Sequence, residues 1–134
     1  MGKYLIVGSK EIAKRAYFWI SNLSTTAAKQ QSVYLGSSKY GYNIFGYGCT
    51  LFGIEFYPTD EYSNDFFPLV GLYNAKGSFA NTLKVGHKEY SSLEDLTRTL
   101  SFRRIATIMK RYDNIRKIFL PSVADDIIRI MNNK

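Results

Sequence analysis

The chain is poor in the residues that do most protein chemistry. It has one histidine, His87, and one cysteine, Cys49. A lone histidine removes multi-histidine metal sites and leaves Ser-His-Asp or Cys-His arrangements little to build on. Zinc has no ligand set. A single cysteine excludes an internal disulfide. Its surroundings, GYGCTLFG, are apolar and aromatic and predict a buried, inert thiol, with a reducing, cytoplasmic setting. No apolar run approaches the roughly 18 residues of a membrane span. The opening MGKYLIVGSKEIAKRAYFWISN turns polar after a short apolar run, so no secretory signal is expected. It also lacks the Ser or Thr of a myristoylation signal. Neither a GK[ST] phosphate loop nor the second and third glycines of a dinucleotide fingerprint follow Gly8. The expectation is a protein that is not an enzyme, with no catalytic residues, cofactor or metal.

What is there is a basic, aromatic chain of 134 residues with net charge +7 and a pI near 9.5. That length argues for one domain, 1–134, able to bury a core without staples. Its 46% hydrophobic content argues for folding rather than disorder. The positive balance suits nucleic acid, anionic lipid or an acidic protein surface, or only keeps the chain soluble. It excludes mimicry of DNA by acidic residues. Usage leans to Lys, Ile, Asn and Tyr, as in AT-rich genomes, phages and mobile elements.

The basic residues concentrate in FRRIATIMKRYDNIRK, residues 102–117. On one helix at about 100° per residue, Phe102, Ile105, Ile108, Met109, Tyr112 and Ile115 share a side. Arg103, Arg104, Thr107, Lys110, Arg111, Asn114 and Lys117 share the other. Arg103, Lys110 and Lys117 fall nearly in line, and Asp113 is the segment's only acid. Such a stripe predicts phosphate contact through Arg103, Arg104, Lys110 and Arg111, with Arg116 and Lys117 beside them. The plain alternative is a solvated helix face, although such faces usually mix signs.

Helix, sheet, then helices predicts an α+β class: an antiparallel-rich sheet from the middle of the chain, packed by an N-terminal helix and C-terminal helices. Lys3–Val7 reads as a strand and 10–22 as a helix with Ile12, Ala16, Ile20 and Leu23 inward. Residues 24–31 read as a loop. Aromatics alternating with small residues, punctuated by glycines, predict strands near 32–36, 40–46 and 49–57. An acidic loop over 58–67, a strand near 68–74, a turn at 75–78 and a strand near 79–86 follow. Ser91 and Glu94 fit a capping box. The apolar seam changes phase near Ser101, leaving one kinked helix or two over 91–117. Residues 118–120 fit a short strand or a connection, and Ser122 caps a last helix with Ile127, Ile128 and Met131 inward. The stretch 68–105, strands followed by HKEYSSLEDLTRTL, resembles the sheet-plus-helix modules of some phage DNA-binding proteins, a resemblance that assigns no residue a role.

Other constellations offer chemistry too. Tyr40, Tyr42 and Tyr47, with Tyr34, Phe45 and Lys39 nearby, can stack bases from a sheet face or pack a core. Gly8-Ser9 opens a helix whose N-terminus can take a phosphate or be a plain turn. Glu55, Asp60, Glu61 and Asp65 supply acids for a metal-dependent nuclease or an exposed loop. The leading expectation is a small basic nucleic-acid-binding protein of phage or mobile-element type, contacting phosphates through a helix face. An inhibitor or adaptor covering an acidic or nucleic-acid-binding host protein, of anti-defence type, is the alternative. A nucleotide-binding or sequestering protein is the second alternative. No membrane partner is expected, and the aromatic excess leads to a homodimer as the expected assembly.

Overall fold

The helix expected over 10–22 forms, extended at both ends, as α1 (Ser9–Thr25). The structure is a computed structural model and describes residues 8–133, so the strand expected at Lys3–Val7 lies outside the described residues. Ala13, Ala16, Trp19, Ile20 and Leu23 form the buried face of α1, the 3.6-residue period of an amphipathic helix.

The middle of the chain departs from the expected strands. Residues 32–43 form a looped segment closed by isolated bridges, Gln30 with Tyr42 and Ser37 with Gly41. Residues expected as strand then form α2 (Ile44–Phe52). Asn43 starts it, its side chain accepting from the Gly46 N–H at 2.8 Å. The Asn43 amide also donates to the carbonyls of Val33 (3.0 Å) and Glu61 (2.9 Å). Glycines within α2 are close-packing positions rather than turns. A Cβ on Gly46 would lie 1.9 Å from the Leu35 carbonyl oxygen, and one on Gly48 would lie 2.4 Å from the Phe66 ring. The Trp19 indole donates to the Ile44 carbonyl at 3.1 Å and locks α2 to α1.

The acidic loop follows, and the expected strand at 68–74 is a single helical turn, α3 (Phe67–Val70). The turn before Ser78 forms as expected, with Gly77 N–H donating to Asn74 at 2.9 Å. Strand β1 (Ser78–Val85) also forms, but it pairs with β2 (Lys88–Ser92) across Gly86-His87 and not with 68–74. Leu83 and Tyr90 face each other in this register and are both buried. The two strands are the whole sheet among the described residues.

Helix α4 (Leu93–Thr99) is capped one residue later than expected: Ser92 accepts from the Asp95 N–H, while Ser91 donates to the Asp95 carboxylate. Two further helices, α5 (Phe102–Met109) and α6 (Tyr112–Ile118), cover the basic segment, so 91–117 is built from three helices and not from the one or two expected. Phe119 then bridges antiparallel to Leu72. The last helix, α7 (Pro121–Asn132), has Leu120 and not Ser122 at its cap, because Pro121 takes the first helical position. Ile127 and Ile128 are buried, and Met131 packs at the core's edge. Helix α1 lies at the centre, against α7, α5, α3 and α2, while β1 leans on α6. The architecture is α+β, with the sheet smaller and later in the chain than its aromatic content implies.

Candidate nucleic-acid interface

Helix α5 buries Phe102, Ile105, Ala106, Ile108 and Met109 against the core, largely on α1. Its start is doubly held. The Ser101 hydroxyl accepts from Arg104 N–H at 3.2 Å, and the Gln30 side-chain oxygen accepts from Phe102 N–H at 2.6 Å. Arg103, Arg104 and Thr107 are left outward. The helix ends at Lys110, and Arg111 is extended (φ −79°, ψ 133°) before α6 begins. The buried Asn114 amide donates to the Ile108 carbonyl at 2.9 Å and fixes the break.

That break divides the expected stripe. Arg103 and Arg104 are exposed on α5, and Lys110 is half-buried at its end. None of the three forms an ion pair among the described residues. Arg111 stands 3.6 Å from Asp113. Arg116 pairs with Asp125 on α7 at 2.7 Å, and Lys117 donates to the Thr82 carbonyl on β1 at 3.3 Å. Arg103, Lys110 and Lys117 are therefore not a continuous row: Lys117 belongs to a second helix and pins the hairpin. The α5 end of the segment is the part left without acids.

The break also makes a cleft. Lys84 and Gly86 at the end of β1 face Arg104 and Thr107 of α5 and Arg111 of the junction, around a volume of about 390 Å³. Lys84 carries no motif, and only the tertiary packing of β1 on α6 brings it here.

The tyrosines separate. Tyr40 is 65% exposed, with the Lys39 ammonium 5.2 Å from its ring centre. Tyr42 is half-buried, edge-on to Phe56 at 6.4 Å. Tyr47 is 7% exposed and packs on Phe102 at 5.5 Å, so it is a core residue and not a stacking platform. The loop carrying Tyr40 is tied to the start of α5 through Gln30, which bridges Tyr42 by its backbone.

The acids lie elsewhere. Glu55, Asp60 and Asp65, with Tyr57 and Tyr62, line a cleft of about 830 Å³, while Glu61 turns to Arg98 at 2.7 Å. Among the described residues no three His, Cys, Asp or Glu side chains converge as a metal site. Cys49 is buried, and burial pushes its thiol up to about 11, so it stays protonated at neutral pH. At the start of α1, Ser9 donates to Asp126 at 2.5 Å, which places a carboxylate where a phosphate would need to sit. That hydrogen bond, aided by Arg129, holds the Asp126 carboxyl below the usual carboxylate range. No described helix is long and apolar enough to cross a membrane.

Comparison with known protein families, curated proteins and solved structures finds no match to this chain, so its functional reading rests on its own residues.

Proposed function

We propose that this protein binds nucleic acid through the outward face of α5, by contacts to phosphates rather than to bases. One observation carries the reading: the exposed Arg103 and Arg104 and the half-buried Lys110 lie along and at the end of one short helix, with no acid paired to any of them among the described residues. An ordinary solvated helix face mixes signs and satisfies its cations locally, as Arg116 and Arg129 do on this molecule. Arginine suits phosphate, because its planar fork makes two parallel hydrogen bonds. Tyr40 and Lys39, on the loop tied to the start of α5, add an exposed ring and a further charge.

Binding of this kind carries little sequence information and weakens steeply with salt. The test is a gel shift of mixed DNA and RNA at low and high salt, repeated with Arg103→Glu combined with Arg111→Glu. Both side chains are exposed, so the double variant keeps its fold. A salt-sensitive shift lost in the variant supports the reading. Wild-type protein that shifts neither DNA nor RNA overturns it and hands the same face to an acidic protein surface.

A further inference from the structure

Resting on that reading, we infer that the cleft between the end of β1 and the α5–α6 break is a seat for one phosphoryl group of a nucleic-acid strand. Three cations from three places in the fold converge on it: Lys84 from β1, Arg104 from α5 and Arg111 from the junction. Its floor includes Ile108 and Asn114, both buried, and the Asn114 amide is already spent on the Ile108 carbonyl. Converging like charges raise the positive potential within the cleft. Arg103, on the same helix, is exposed and does not line the cleft. Asp113 also lines the cleft, 3.6 Å from Arg111, and Glu89 stands opposite Lys84 in the hairpin register, but neither Lys84 nor Arg104 forms an ion pair among the described residues. The Lys117 bond to the Thr82 carbonyl holds β1 beside α6 and so keeps Lys84 in place. At about 390 Å³ the cleft falls within the roughly 300–1,000 Å³ of small-ligand sites. That is more room than a bare phosphate needs, and it admits the sugar attached to one.

The seat ranks the cations in a way that a uniform basic face does not. Lys84, remote in sequence from the helix, matters as much as Arg104, whereas Arg103 and Lys110 contribute only general attraction. The test is fluorescence anisotropy of a short labelled single-stranded oligonucleotide against the full chain, with thermal melting to confirm folding. Lys84→Ala and Arg104→Ala should each weaken binding about tenfold, a loss of about 1.4 kcal/mol. Combined, they should lose less than the product, because both partners serve one phosphate. Arg103→Ala and Lys110→Ala should each cost about two- to threefold. In the wild type, inorganic phosphate should shift the backbone amide resonances of Gly86 and Thr107.

A Lys84→Ala protein of unchanged affinity, while Arg103→Ala and Lys110→Ala bind weakly, overturns the seat and leaves the binding face standing. Wild-type protein that binds no oligonucleotide overturns both. Strands with a 5′-phosphate and a 5′-hydroxyl then identify the source. Tighter binding of the phosphorylated strand assigns the seat to a strand end, and equal binding assigns it to an internal diester.

Discussion

Helices α2 and α5 are nearly equal in length, nine and eight residues, yet they sit in the molecule in opposite ways. Helix α2 carries no charge and is buried continuously from Ile44 to Cys49. Its glycines let Leu35 and Phe66 close on it from different sides. Helix α5 is buried along one seam and basic on the rest. Each depends on a buried asparagine: Asn43 at the start of α2, and Asn114 just beyond α5. A helix enclosed on all sides has no polar face, so its sequence loses the helical period and reads as strand. One that is half enclosed keeps the period and advertises what its open face can bind.

The sharpest way to break this pairing is at Asn43. Its side chain satisfies two carbonyls and one N–H, so Asn43→Ala leaves three groups short of a partner. At about 1–3 kcal/mol for the buried Gly46 N–H left unpaired, and less for the part-buried Val33 and Glu61 carbonyls that water can reach, urea denaturation should show a loss of about 3 kcal/mol. The folded fraction should keep its affinity for an oligonucleotide. Asn114→Ala should do the reverse in kind. The Ile108 carbonyl still accepts from Arg111 N–H at 3.3 Å, so the stability loss falls to about 1–2 kcal/mol. Affinity should fall severalfold as α6 drifts from α5 and carries Arg111 with it. Equal effects of the two substitutions on binding would erase the distinction between a structural and a site-building asparagine.

A smaller effect lies at the cap of α4, between the two regions. The Ser91 hydroxyl donates to Asp95 and, despite some burial, holds its carboxyl below the ordinary 3.8. A carboxyl lowered by folding contributes its full stability above the unfolded value and loses it as pH falls through the lowered folded value. Wild type and Asp95→Asn should therefore differ slightly in melting temperature at neutral pH and converge as pH drops below about 4. A gap that widens in acid would place the Asp95 contribution elsewhere.

The two helices also divide what was legible in the sequence. α1, the β1 strand, the start of α4 within one residue and the separation of α4 from α5 all follow from local pattern. The break between α5 and α6 is also legible, at the end of the seam. On one straight helix Ile118 would lie about 160° from Phe102, facing solvent, and Asp113 about 20° from it, facing the core. Both are wrong for their chemistry, and a turn at Lys110-Arg111 corrects both: Ile118 is buried and Asp113 exposed. For α2 no such signal exists. Glycine in a strand-like aromatic run stands for a turn by local rules, and only the Leu35 carbonyl and the Phe66 ring explain Gly46 and Gly48. The Lys84 contribution to the cleft was equally hidden, because it depends on how a hairpin leans on a helix distant in sequence. The charge of the candidate interface is local information, whereas its shape is tertiary.

The break at Lys110-Arg111 has one more consequence. Neither α5 nor α6 reaches the roughly 12–15 residues that a helix needs to persist alone in water. Cut free, residues 102–118 would be a polycation without form, attracting any anion and distinguishing none. The spacing of these charges is lent to them by α1 and β1, so discrimination here belongs to the folded body and cannot be carried away on a fragment.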